Sequence, residues 1–197
     1  IDESKFAKLL DSKKYEIKSF KATIKADQED NYALLPIEVN PDGLSPDSIY
    51  MVPLKVKNIS AYELNTQKAS VLYRVILKNV YATMEETTYY QMTGTETSHM
   101  SNGSVSSGIS LTRVVAPLSK NQVRMFVGTN TYVPTKVTKE ELAKYAMVVT
   151  INDNNTLTIS PYGDVEVEQL GGDADNYIEK NAKGQYVMHM HYRYKDT

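Results

Sequence analysis

Between residues 31 and 80 the chain falls into three short apolar segments, at 33–39, 49–56 and 71–80, divided by clusters of Pro, Asp, Gly, Ser and Asn. Such punctuation is how consecutive antiparallel strands mark a sequence, so the centre reads as a β-meander. The first connection, residues 40–47, carries a turn with a mechanism: Pro41 fixes φ, Asp42 can bond its own backbone and Gly43 supplies a positive φ. Pro36 and Pro53 lie inside strand-like runs, and a proline cannot donate to a ladder. Each strand that carries one is therefore expected at an edge or bulged there.

On either side of this centre the pattern continues. Phe6, Leu9 and Leu10 share a helical face, with Asp2 and Glu3 at one end and Lys13 and Lys14 at the other, which predicts a short helix over 2–14. Residues 15–26 alternate as a half-buried strand, and 27–30 make its turn. A long strand is expected over 83–97, followed by a mobile Ser/Gly loop at 98–108, because that stretch has little to bury. Strands then recur at 109–116, 122–127, 146–151, 156–160, 165–170 and 185–194, with a tight hairpin at Asp153-Asn154-Asn155, since Asn tolerates positive φ. One helix interrupts them. Thr138 and Glu141 fit a capping box, with Leu142 and Tyr145 as its buried pair. The fold class expected is mostly β: an immunoglobulin-like sandwich over 1–81, incomplete at its N-terminus, then an antiparallel lipocalin-like barrel or second sandwich over 82–197. No Gly/Ser linker separates the two, so they are expected to be tightly joined.

Several strings resemble a known family. Residues 33–58 resemble the second half of the immunoglobulin-like DUF1735 domain of Bacteroidetes surface lipoproteins. The strings Ala-Pro-Leu-Ser-Lys-Asn-Gln-Val-Arg at 116–124, Ile-Ser-Pro-Tyr-Gly-Asp-Val-Glu-Val-Glu-Gln-Leu at 159–170 and His-Tyr-Arg-Tyr at 191–194 resemble the DUF4361 (BT_3044-like C-terminal) domain that follows it. The resemblance implies a glycan-utilisation or surface-attachment protein, held at the outer membrane by a lipid on a cysteine that this chain lacks. It names no reaction. Relative to that family the chain is expected to lack strands at its start and a short stretch at its end.

Composition narrows the partners. Net charge is −2 with pI near 6.0 and the two signs intermixed, so there is no electrostatic footprint for nucleic acid. Cysteine is absent, which removes disulfides, a thiol nucleophile and a thiolate metal site. No apolar run approaches the roughly 20 residues of a membrane-crossing helix.

The chemistry-bearing residues each have a plainer reading. His189 and His191 stand two apart, as two metal ligands on one strand face would, but no third ligand lies nearby. Asp164, Glu166 and Glu168 alternate with valines, as on a solvated sheet face, whereas glycoside hydrolysis needs two acids facing each other across a cleft. The run 171–176 brings Asp173 and Asp175 into a turn, yet a calcium loop would need Gly where Ile178 stands. No catalytic residue, metal site or cofactor is assigned. Asp47-Ser48-Ile49 resembles an O-glycan acceptor in an exposed turn. The strongest bias is fifteen tyrosines with no tryptophan. Tyr89, Tyr90, Tyr132, Tyr162 and Tyr177 sit near loops or strand ends, where a ring could stack on a sugar. The expected function is a non-enzymatic cell-surface or periplasmic accessory in glycan binding and uptake, with carbohydrate and other outer-membrane uptake proteins as partners. The alternatives are an adhesive protein–protein module and a glycoside hydrolase.

Overall fold

Strands carry most of the regular structure in the computed structural model, which describes residues 7–25, 32–133 and 136–195. The chain divides into two units, Ile1–Leu44 with Ser48–Val75, and Ser45–Asp47 with Ile76–Thr197.

In the first unit, β1 (Lys8–Leu9), β2 (Tyr15–Glu16), β3 (Glu38–Val39), β4 (Tyr50–Lys55) and β5 (Ser70–Val75) form a three-stranded sheet of order β1-β4-β5 and a β2-β3 pair. The helix expected over 2–14 is not formed in its described part. The Lys8 amide donates to the Ile49 carbonyl at 2.7 Å and the Leu10 amide to Met51 at 2.9 Å, so sheet pairing claims the backbone. Leu10 turns inward while Leu9 is exposed, a period of two. Only a 3-10 turn, Ser12–Lys14, follows, capped by the Asp11 carboxylate on the Lys13 amide. The strand expected over 15–26 stops at Glu16, because its partner β3 is two residues long and Ser19 then bonds locally with Lys21. Phe20 and Ile24 are left exposed. The turn expected at 27–30 lies outside the described residues.

The 40–47 turn forms as expected. Gly43 has φ +74°, the Asn40 side chain accepts from the Asp42 amide, and the Leu44 amide donates to Pro41. Pro53 shows how a proline survives inside β4. The Val56 amide donates to Ala69, on the β5 side, and Met51 accepts from Leu10, on the β1 side. By the two-residue alternation Pro53 directs its missing donor toward β1, which has already ended at Leu9.

The second unit is built on an antiparallel meander: β6 (Thr88–Met100), β7 (Gly103–Ser119), β8 (Gln122–Phe126), β9 (Ala146–Ile151) and β10 (Leu157–Pro161), in order β10-β9-β8-β7-β6. The sheet curls into a half-barrel. The expected loop at 98–108 is instead strand: β6 and β7 pair without a break from Thr88–Val115 to Met100–Gly103. Small polar side chains bury little, but here hydroxyls bond across the ribbon, as between Thr97 and Ser106 at 2.8 Å. Beyond the meander lie β11 (Val167–Gln169), β12 (Tyr177–Lys180), β13 (Tyr186–His189) and β14 (Tyr192–Tyr194), paired β11-β14 and β12-β13. The single strand expected over 185–194 is thus two. The Asn176 side chain accepts from the His191 amide at 2.8 Å and the His191 carbonyl accepts from Leu170, so the chain changes partner there.

The core follows from the register. Val123 faces Val149, Met125 faces Met147, Ile159 faces Val149 and Leu157 faces Ile151, all nearly inaccessible. On the opposite side of β8 and β9, Phe126 and Ala146 meet Ala116, Tyr132 and Leu142 in a second cluster. Both faces of β9 are therefore covered, which is why Ala146, Met147, Val148 and Val149 are buried in succession. Leu142 comes from helix α1 (Lys139–Tyr145), whose capping box is complete: Thr138 accepts from the Glu141 amide at 3.1 Å, and Glu141 accepts from the Thr138 amide at 2.8 Å. The hairpin at 153–155 uses Asn155 at φ 63°.

Helix α1 lies directly on the segment after β10. The amides of Asp164 and Val165 both donate to the Ala143 carbonyl, and a Cβ on Gly163 would stand 2.6 Å from the Ala143 Cα. Gly163→Ala is expected to lower unfolding free energy by about 1–3 kcal/mol through this overpacking, measured by urea titration. An unchanged midpoint would refute the close approach.

Candidate functional site

Arg124 on β8 is 1% exposed and sits among apolar neighbours, so its charge needs a fixed partner. Asp47 supplies it in a two-pronged bond, Nη1 to Oδ2 at 2.8 Å and Nη2 to Oδ1 at 2.7 Å. The Tyr132 hydroxyl accepts from Nη2 at 3.1 Å and donates to Asp47 Oδ1 at 2.9 Å. The guanidinium carbon stands 5.5 Å from the ring centre of Tyr132 and 4.8 Å from that of Tyr162. Burial alone would push the Asp47 carboxyl up, but the bonds and charge of Arg124 outweigh it and hold it below 3.8. Burial raises the Tyr132 phenol above its ordinary range.

This network is saturated and offers no free acid or base. Its effect is positional: it fixes the Tyr162 ring against a guanidinium while leaving Tyr162 39% exposed. Next to it in sequence, Asp164 and Glu166 join Lys139, Glu140, Lys144 and Lys195 around an open groove of about 540 Å³. Three cations and three anions line it, so it has no strong preference for ligand charge. The exposed Tyr162 ring stands two residues before Asp164, the first residue of this segment on the groove's lining.

The other tyrosines lie apart. Tyr89 and Tyr90 are on opposite faces of β6: Tyr89 is exposed, while Tyr90 is half-buried and donates to the Tyr81 carbonyl at 3.0 Å. Burial, then the nearby Tyr186 and Tyr81, push the Tyr90 phenol up to about 12. Tyr132 is buried in the Arg124 network. Tyr177 stacks on His189 at 4.3 Å on the β12-β13 hairpin, where His189 also meets Glu179 at 3.1 Å. Only Tyr132 and Tyr162 are brought together, around Arg124. Among the described residues, no three His, Asp or Glu side chains gather as a metal site. Glu168 bonds Arg193 and Glu166 bonds Lys195, so these carboxylates serve surface pairs with the C-terminal strand. Asp175 accepts from the Gly172 amide, which is turn chemistry. Asp47, read from sequence as part of an exposed turn, is engaged with Arg124 and flanked by buried Pro46.

Sequence reasoning missed Arg124, Asp47 and Arg113. Arg113 is 4% exposed and donates to the carbonyls of Asn130 and Phe126 at 2.6 and 2.5 Å, tying down the turn after β8. The available signal was a single arginine within each of two strand-forming runs, Thr-Arg-Val-Val and Val-Arg-Met-Phe.

Asp47→Ala would leave Arg124 buried and unpaired, an expected cost of about 3–5 kcal/mol in unfolding experiments. Because the Asp47 pKa is depressed on folding, its contribution is present above 3.8 and is lost as pH falls through the lower folded value. Acid titration of wild type against Asp47→Asn should show that loss in wild type alone. For Tyr90 the sign reverses: its contribution is present below 10 and lost as pH rises through about 12. Phenolate absorbance should show a late-ionising fraction that a Tyr90→Phe variant reduces.

A family model of a C-terminal domain matches residues 69–197, and a model of an N-terminal domain matches residues 2–63. No curated protein matches. Among solved structures, a Bacteroides ovatus protein of unknown function aligns at TM-score 0.57 with 14% identity, covering 97% of this chain and 63% of its own. A Bacteroides ovatus multidomain protein including DUF1735 aligns at 0.53 with 12% identity, over 97% and 62%, and a third, of unknown function, at 0.51 with 16%, over 96% and 68%. The chain thus spans less than two thirds of the length of the first two. These likenesses establish a shared fold. With one domain model covering well over half of its residues, the chain belongs to the family in which a DUF1735-type N-terminal domain precedes a BT_3044-like C-terminal domain.

Proposed function

We propose that the chain is a non-enzymatic glycan-binding module of a Bacteroides cell-envelope protein, with an immunoglobulin-like part over 1–81 and a ligand-contacting part over 82–197. The observation that carries this reading is the Tyr162 ring, held on one side by Arg124 and open to solvent, two residues before the Asp164 of a charge-balanced groove. A pinned ring loses little freedom when a sugar stacks on it, so the binding free energy is not spent on ordering. Tyr89 and Tyr177 are secondary contacts in the same reading. A lipid anchor outside this chain would hold the protein at the outer membrane, beside other glycan-uptake proteins.

Glycoside hydrolysis is a poorer fit, since Glu166 and Glu168 are occupied by Lys195 and Arg193 and stand two residues apart in one segment. An adhesive, protein-binding role has one observation in its favour. Val71, Leu72 and Tyr73 on β5 are each at least half exposed in succession, so both faces of that strand present apolar surface.

A glycan array followed by affinity electrophoresis tests the reading. Saturable binding to at least one glycan is expected, weakened about tenfold by Tyr162→Ala, the equivalent of roughly 1.4 kcal/mol. Uniform failure to bind would favour the protein-binding role.

A further inference from the structure

The β6-β7 ribbon has one face whose freedom from charge no fold requirement explains. Its cross-strand pairs on that side are Tyr89–Val114, Gln91–Thr112, Thr93–Ser110, Thr95–Gly108, Thr97–Ser106 and His99–Ser104. Side chains bond across it: Gln91 with Ser110 at 3.4 Å and with Thr112 at 3.5 Å, Thr97 with Ser106 at 2.8 Å, His99 with Ser104 at 2.7 Å. All but Val114 are exposed. Near the base the opposite side is different in kind, with Tyr90, Met92, Leu111 and Arg113 turned inward and Glu96 accepting from the Tyr194 hydroxyl, whereas towards the tip Ser98, Met100, Val105 and Ser107 are exposed there too.

The open side carries no Asp, Glu, Lys or Arg in twelve positions, in a chain where those residues make up 23%. Solvated sheet surface is where charges belong, and the outward side of β11-β14 obeys this with its Glu168–Arg193 pair. What the ribbon offers instead is a row of hydroxyl and amide groups able both to donate and to accept, ending at the exposed Tyr89 ring. Ten residue steps at about 3.4 Å make the row roughly 34 Å long.

We propose that this face binds a neutral polysaccharide lying along the ribbon, with Tyr89 stacking on a sugar ring at one end. The proposal rests on the glycan-binding reading above and adds a site and a ligand charge to it. Neutrality is the complementarity: a ligand without charge displaces water from hydroxyls and amides, which it replaces as a partner, and strands no ion. The paired strands are already ordered, so an extended chain meets a preformed surface.

Affinity electrophoresis of the whole chain in gels holding a soluble β-glucan, a galactomannan or polygalacturonate tests it. Retardation by one of the neutral polymers is expected, weakened at least tenfold in Thr95→Glu and in Tyr89→Ala and unchanged in Lys183→Ala. All three substitutions are at exposed positions, and matching thermal unfolding curves confirm that each variant folds. Retardation that survives Thr95→Glu and Tyr89→Ala but falls in Tyr162→Ala would leave glycan binding standing and overturn the ribbon site. Retardation by polygalacturonate alone would overturn the neutral-ligand assignment. No retardation by any polymer would overturn the ribbon proposal, and glycan binding as such would then stand or fall with the glycan array. A gel-filtration shift to a dimer that Thr95→Glu abolishes, without retardation, would assign the ribbon to a protein partner instead.

Discussion

A guanidinium sealed in a protein interior cannot shed its proton, so everything around Arg124 is arranged to answer that charge. Asp47 answers it with both carboxylate oxygens, and Tyr132 closes the triangle by bonding to each partner. The consequence reaches beyond the pair. Residues 45–47 belong to the second unit, so Asp47, Arg124, Tyr132 and Tyr162 all lie within it. Tyr162 inherits its position from the same cation. A ring that would otherwise rotate freely at the end of β10 is held with one side against a charge and one side open.

Much of the second unit was legible in the sequence, and the reason is local. Residues 146–151 and the 153–155 hairpin carry their own instructions, in β-branched side chains and an Asn at φ 63°. Thr138 and Glu141 specify a helix start without help from the rest of the chain. The failures all concern segments whose state is set by a partner. Lys8 and Leu10 have a helical neighbourhood in sequence, but their amides donate to the carbonyls of Ile49 and Met51, far along the chain. Residues 185–194 alternate without interruption, and only the side chain of Asn176, fully buried and bonded to the His191 amide, tells the chain to change partner. The candidate site divides the same way. Tyr162 is proposed from its type and place, whereas Asp47 and Arg124, seventy-seven positions apart, had no means of announcing each other.

The tip of the ribbon is the instructive case, because the composition of residues 98–108 points to a loop for a sound reason. Ser, Thr and Gly bury almost nothing, and a segment that buries nothing has no hydrophobic reason to be ordered. What orders it is length and pairing: thirteen consecutive register partners from Thr88 to Met100, with hydroxyls bonded across the strands. The apolar anchor is at the base, where Tyr90, Met92 and Leu111 face inward and Arg113 is locked to the β8 turn. Order at the tip is therefore propagated from the base along the ladder.

That dependence sets a condition on any function. A long edge strand with unpaired backbone groups invites another chain, and natural sheets usually discourage this with charges or prolines. Along β6 the only charged side chain is Glu96, and it is turned inward to Tyr194. The ribbon thus forgoes the ordinary protection on its edge and on its outward side together. Solubility argues for at least one lysine or glutamate among those twelve outward positions, and stability does not oppose one, since nearly all are exposed and touch no core. Folding and solubility leave the neutrality unaccounted for, so its cause has to be sought in what the surface touches.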